Sequence, residues 1–272
     1  MERRLAIGLA VWFSLVATSV YLHGQAIAGE TQVESHAAES PKGRGAVASE
    51  PTAAVNFQDF RYRYFDLENG RHVNSFEAEG AYVFDPRFKL AYKLFGVETD
   101  LTGTSEADVS LLSLRPILLT PIESFGLQGK IALGVEWKLE LGEFDEGTGT
   151  GSDLISPFVG IGWLLSTKNL LTATVQYFHS YREDRGAPDV NKTAPRFTHT
   201  QGLPAIEGWL KFDLKFAIDH ENDNEITETL ELQLGKRIAP MVGIYVELLL
   251  GDAVFTSNAY DIGGGVALRI LF

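Results

Sequence analysis

From Val55 onward, apolar and polar positions alternate with a period of two, and no helical stripe of comparable length competes with that pattern. The longest case sets Leu210, Phe212, Leu214, Phe216 and Ile218 against Lys211, Asp213, Lys215, Ala217 and Asp219. The same alternation sets Leu230, Leu232 and Leu234 against Thr229, Glu231 and Gln233, and Ile131, Leu133, Val135, Trp137 and Leu139 against Lys130, Ala132, Gly134, Glu136 and Lys138. Successive side chains of a strand point to opposite faces, so each run predicts a strand with one greasy and one polar face. Breaks between the runs predict twelve strands, at about 55–68, 73–85, 88–101, 108–122, 127–142, 154–165, 170–184, 196–205, 209–220, 225–236, 241–251 and 260–272. Parity is ambiguous in the fourth, where Leu111 and Leu112 are both apolar and Pro116 interrupts the ladder.

Alternation alone does not say which face is inside, because soluble and membrane barrels show the same pattern turned inside out. A soluble barrel of twelve strands would need large apolar side chains to fill its interior. The less apolar face instead carries Gly134, Gly160, Gly162, Gly243, Gly263 and Gly265 among charges. The sequence therefore predicts an all-β, transmembrane, antiparallel up-and-down barrel with a polar lumen and a lipid-facing exterior, in which closure leaves no backbone group unpaired. An even strand number and an alternation of short and long connections agree with this. The connections after even strands (85–87, 123–126, 167–169, 206–208 and 237–240) are short, whereas 143–153, 185–195 and 252–259 are the three longest. That pattern predicts both chain ends in the periplasm.

The first residues change the picture of location. Arg3 and Arg4 precede an apolar run from Leu5 to Leu22 and the small-x-small triplet Ala26, Ile27, Ala28, which is the order of a cleaved signal peptide spanning 1–28. Residues 29–54 are rich in Ala, Glu, Ser, Gly and Pro, with hardly a bulky apolar side chain, and read as a disordered periplasmic leader ahead of a single barrel domain at 55–272. The chain contains no cysteine, so disulfides and thiol redox chemistry are excluded. A formal net charge of −13 argues against a nucleic-acid partner.

In the final strand, Val266, Leu268 and Ile270 share one parity and Asp261, Arg269 and glycines the other, and the chain ends on Phe272. Here it resembles bacterial outer-membrane barrel proteins, and the resemblance implies that Phe272 is read by the barrel-assembly machinery. Trp137, Trp163 and Trp209, with Tyr62, Tyr64, Tyr82, Tyr177 and Tyr181, suit interfacial aromatic girdles. Over 201–272, the pattern Gln201-Gly202-Leu203-Pro204, Gly208-Trp209, Leu234-Gly235-Lys236 and a closing glycine-rich strand resembles the phenol-degradation meta-pathway and putative outer-membrane transporter family. That resemblance implies passage of small organic solutes; the N-terminal half shows no match to it.

By parity the lumen candidates are Arg61 and Arg63; Glu77 and Glu79; Lys89 and Lys93; Arg115; Lys130, Glu136 and Lys138; Lys211, Asp213, Lys215 and Asp219; Glu231; Glu247; and Arg269. Both signs are interspersed, so the set either lines a water-filled channel that selects by charge and size or pairs across the lumen into a salt-bridged plug. External loops 143–153 and 185–195 are candidate constrictions. A third reading is a lipid-modifying enzyme, which needs a nucleophile beside a histidine. His179 and Ser180 are adjacent and point to opposite faces, and His199 has only Gln201 beside it on its own face, so no catalytic residue is assigned. Asp219, Glu221, Asp223 and Glu225 alternate like a calcium loop, but Asn224 stands where the EF-hand needs glycine. Glu143, Asp145, Glu146 and Asp153 form an acidic rim that could share divalent ions with lipopolysaccharide phosphates, although solvated loop charge is the simpler reading; no metal or cofactor site is assigned. The partners expected are therefore outer-membrane lipid, lipopolysaccharide, the assembly machinery and small-molecule solutes.

Overall fold

In the computed structural model, which describes residues 48–67, 71–166, 168–183, 186–251 and 260–272, twelve strands close into one barrel. They are β1 (Phe57–Leu67), β2 (His72–Asp85), β3 (Phe88–Thr99), β4 (Glu106–Ser124), β5 (Leu127–Glu140), β6 (Ser152–Ser166), β7 (Asn169–Glu183), β8 (Asn191–Leu203), β9 (Gly208–Asp219), β10 (Glu225–Ala239), β11 (Val242–Gly251) and β12 (Tyr260–Leu271). Each pairs antiparallel with its sequence neighbours, and β1 closes the ring on β12 from Phe57 opposite Leu271 to Leu67 opposite Tyr260. The expected signal peptide, leader residues 29–47 and connection 252–259 lie outside the described residues.

The two faces separate as the alternation requires. Ile244, Val246, Leu248 and Leu250 of β11 are exposed on the outside, while Tyr245, Glu247 and Leu249 are buried inside. Phe76, Leu118, Val159, Phe197, Leu234 and Val266 continue the apolar outer surface around the ring. An exterior of this kind has a favourable solvent only in hydrocarbon, where a closed ladder satisfies every strand's N–H and C=O. Among the described residues no helix is long and apolar enough to cross a membrane.

Local exceptions have covalent causes. Pro116, Pro157 and Pro195 lack an N–H, and each leaves a gap in one ladder: between β4 and β5, β6 and β7, and β8 and β9 respectively. The ambiguity at Leu111 and Leu112 is a bulge: Phe95 faces Leu111 while Gly96 faces Val109, so Ser110 is the extra residue. Ser110 and Leu111 both turn inward as a result, and the odd parity from Leu111 onward places Arg115 in the lumen. Strand β8 begins at Asn191, five residues ahead of its expected start, because β7 continues to pair with it past Pro195.

Two expectations need correction. Trp209 is not a girdle residue; it shares parity with Lys211, lies inside at 3% exposure and donates Nε1–H to Gln233 Oε1 at 2.9 Å. The outward Trp137, Tyr62, Tyr64, Tyr82, Tyr177 and Tyr181 are exposed. The leader reading also fails for its last residues, because Ala48, Glu50, Pro51, Thr52 and Ala53 are buried within the barrel end that carries the short connections. Ala48, Ala53, Val55 and Phe57 pack there with Leu170, Trp209, Tyr245 and Ala267, giving the lumen an apolar floor at that end.

Glycines make room for this filling. A Cβ at Gly235 would stand 2.1 Å from Trp209 Cε2, and one at Gly243 would stand 2.9 Å from Trp209 Cη2. Gly235→Ala is therefore expected to destabilise the barrel by about 1–3 kcal/mol through overpacking. Urea unfolding followed by tryptophan fluorescence should show a lower midpoint for Gly235→Ala and recovery when Trp209→Leu is added; an unchanged midpoint would remove Trp209 from its place over Gly235.

Candidate functional site

Most of the lumen charges assemble into one network running from Asp59 to Asp213, and Glu136 gathers a second cluster. Arg269 donates to Asp59 through Nε (2.8 Å) and Nη2 (2.5 Å), and Tyr245 Oη donates to Asp59 Oδ2 at 2.8 Å. Arg61 reaches Glu77 at 3.1 Å, Glu79 at 3.5 Å and the Tyr245 hydroxyl. Arg63 reaches Glu247 at 2.7 Å, Glu77 at 3.0 Å and Glu231 at 3.3 Å. Lys93 adds to Glu77 at 2.9 Å, and Lys215 joins Glu231 at 2.8 Å to Asp213 at 3.6 Å. Arg196 holds Asp213 with two bonds, from Nε at 2.7 Å and Nη2 at 2.5 Å. Across the lumen, Glu136 forms an ion pair with Arg115 at 2.9 Å and accepts from Gln176 at 2.6 Å and Ser113 at 2.5 Å.

All seventeen sequence candidates lie on lumen-facing positions of their strands. Asp219 sits at the end that carries the longer connections, paired with Lys192 at 2.9 Å, and Lys89 lies at the opposite end of the lumen. Lys130 shares the lumen parity of Ala132, Glu136 and Lys138. Parity counting missed Asp59 and Arg196, which have the same parity as Arg61 and Thr198, and the hydrogen-bonding Tyr245 and Gln233. It had no signal for Glu50, which arrives from outside the strands.

Within the network lies a cavity of about 280 Å³. Its charged lining is Arg61, Arg63, Lys93, Arg115, Lys138, Arg196, Lys211 and Lys215 against only Glu77, Glu79, Glu136 and Glu231. A chain that is strongly acidic overall thus presents twice as many cations as carboxylates to its interior space. Aromatic faces stand beside some of these cations, with Arg115 5.5 Å above the Phe158 ring and Lys138 4.4 Å above Phe178.

Both ends of the cavity are narrowed. Ser49 and Pro51 line one end, and Gly147 to Thr150 of the β5–β6 connection line the other, with Thr148 buried. That loop leans on its neighbours: a Cβ at Gly147 would stand 3.4 Å from Leu101 Cβ, and one at Gly151 2.6 Å from Ala187 Cβ. Of the two expected constrictions, 143–153 reaches the cavity, while the described part of 185–195 contributes only Ala194 and Pro195, which belong to β8. The acidic rim does not assemble: Asp153 is buried, accepts from Glu140 N–H and faces Arg182 at 3.5 Å. Among the described residues no group of three potential metal ligands forms.

A hydroxyl, an imidazole and an amide do line up at the outer rim. Thr193 Oγ1 stands 2.9 Å from His220 Nε2, and His220 Nδ1 stands 2.8 Å from Asn224 Oδ1. A search along single strands for serine missed this set, since its members come from β8 and the turn after β9.

No family model matches the chain, and no curated protein matches it, so the resemblance to the phenol-degradation family has no further support. Solved structures share the fold. The NanC porin is 8% identical, covers 79% of this chain and 98% of its own, and superposes with a TM-score of 0.60. An outer membrane channel from Pseudomonas putida F1 is 10% identical, with 82% and 98% covered and a TM-score of 0.60. Outer membrane phospholipase A from Escherichia coli is 11% identical, with 83% and 97% covered and a TM-score of 0.50. The chain therefore has the twelve-stranded, porin-like barrel fold.

The fully buried Asp59–Arg269 pair is the network's anchor. Removing one member strands an uncompensated charge, so Arg269→Met is expected to cost about 3–5 kcal/mol, and Asp59→Asn added to it should return most of that loss. Urea midpoints of the refolded variants measure both effects; additive losses in the double variant would show that the two residues are not coupled.

Proposed function

We propose that this protein is a bacterial outer-membrane channel for small organic solutes with a preference for anions, exported through a signal peptide cleaved after residue 28 and assembled with Phe272 as its terminal signal. The observation that carries this reading is the cation-rich, aromatic-walled cavity inside a barrel whose exterior suits lipid. Likeness to porins and an outer membrane channel supports it. The seventeen parity-assigned charges, with Asp59 and Arg196, form the walls of the path. Outer-membrane lipid and lipopolysaccharide surround it. A closed structural barrel is the competing reading, favoured by the density of ion pairs. Planar-bilayer recording separates the two: discrete openings support a channel, and silence supports a plug.

Selectivity tests the charge argument. In a salt gradient the wild-type reversal potential is expected on the anion side, and Lys138→Glu with Lys215→Glu should move it to the cation side. An unmoved potential would take those side chains out of the ion path.

Lipid hydrolysis is the alternative that the phospholipase-like fold and the Thr193–His220–Asn224 alignment raise. An acyl-transfer site also needs N–H donors for the oxyanion. The nearby N–H groups of His220, Glu221 and Glu225 are engaged by Asn191 O, Asp219 Oδ1 and Asn222 O. We assign the three side chains to tying the rim together. Refolded protein given labelled phospholipid or lipid A is expected to release no product; release that disappears in Thr193→Ala would reverse the assignment.

A further inference from the structure

The segment at 48–55 crosses the lumen without being part of the wall, and its polar contacts are few enough to enumerate. Lys89 Nζ donates to the carbonyls of Glu50 (2.8 Å) and Ala53 (2.6 Å), and Ala53 N–H closes a turn onto Glu50 O at 3.1 Å. The wall is notched to receive it, because a Cβ at Gly162 would stand 2.4 Å from Thr52 Oγ1. Its one charged side chain, Glu50, is completely buried, with Oε1 2.9 Å from Lys211 Nζ and 3.9 Å from Arg196 Nη2.

That contact is close but poorly aligned. Neither carboxylate oxygen of Glu50 makes a hydrogen bond of acceptable geometry, despite the approach of Lys211. Asp213, a wall residue, is gripped by the same Arg196 through two well-formed bonds. Lys211 lies 3.7 Å from Asp213, so its nearer carboxylate is the one supplied by the segment. Lys211 and Arg196 also line the cavity, on the side where Ser49 and Pro51 close it. A charge-assisted hydrogen bond gains its strength from alignment, which a free carboxylate can find and a tethered one here does not.

Resting on the channel reading above, we infer that Lys211 and Arg196 form a carboxylate-binding subsite occupied by Glu50 as an internal ligand, and that a small organic carboxylate entering the cavity competes for it and releases residues 48–54 from the lumen. The segment is then a gate whose opening is coupled to the presence of its anionic solute. The coupling is a difference in affinity between the plugged and unplugged barrel, as any ligand-driven shift must be.

The full-length refolded protein tests this with benzoate as probe and neutral benzamide as control. Chloride conductance in planar bilayers is expected to rise several-fold with benzoate and to stay unchanged with benzamide. Glu50→Gln should conduct at the raised level without benzoate and respond little to it. Lys89→Met, which frees the carbonyls without touching the subsite, should lower the benzoate concentration needed. Because the chain has no cysteine, Ser49→Cys gives a second readout: its reaction with a membrane-impermeant maleimide should accelerate with benzoate and not with benzamide. Channels that open in every variant with no effect of benzoate or of Glu50→Gln, and unchanged Ser49→Cys labelling, would overturn the subsite and leave the channel standing. Silence in every variant, with correct folding shown by heat-modifiable gel migration, would overturn the channel reading itself.

Discussion

Hydrocarbon outside the ring is the constraint on which the rest of the structure depends. It forbids an open sheet edge, so β1 must find β12; it forbids charge on the outer face at hydrocarbon depth, so the strands place the ionic residues of their central stretches inward. Inside, those charges are too close together to remain separate. Arg61, Arg63 and Glu77 meet Glu231 and Glu247 from strands that lie far apart in sequence, and barrel closure is what brings them together. The network is thus a consequence of the lipid-facing exterior and, at the same time, a tie across the seam between the first and last strands.

A lumen so braced is stiff, and the space left within it is small and positively biased. Ion pairing weakens the field of each charge, and the bias that remains comes from eight cations facing four carboxylates around the cavity. On the channel reading proposed above, passage requires attraction strong enough for entry and weak enough for exit, and ion-paired lysines and arginines beside phenyl faces suit both needs. The narrowing at either end, by residues 48–53 and by Gly147 to Thr150, means that access is governed by chain segments and not by the ring itself.

Much of this was legible from alternation alone. Strand number, the short and long ends of the barrel and the inward charges all follow from a period of two, since a one-residue slip would turn Ile244, Val246, Leu248 and Leu250 of β11 inward. Trp209 was equally legible, because its parity with Lys211 places it inside; the habit of assigning tryptophan to a girdle overrode the pattern. The bulge at Ser110 was visible only as an ambiguity, since either apolar neighbour could have faced the lumen. Residues 48–54 were not legible. Small and polar side chains give no hydrophobic reason to order, and what orders them is Lys89, Lys211 and a notch at Gly162, contacts that exist only after closure. The alignment of Thr193 with His220 and Asn224 is hidden for the same reason.

The absence of cysteine makes orientation directly measurable. Single nitroxide labels at Phe212 and Leu248, and at Gln233 and Thr229 as inward counterparts, can be compared in lipid vesicles by power-saturation spectroscopy. The account predicts relaxation of the first pair by oxygen and not by a water-soluble nickel chelate, with no such lipid signature at the second. Chelate access at Phe212 and Leu248 would place water on the outer face and contradict the structure's governing constraint.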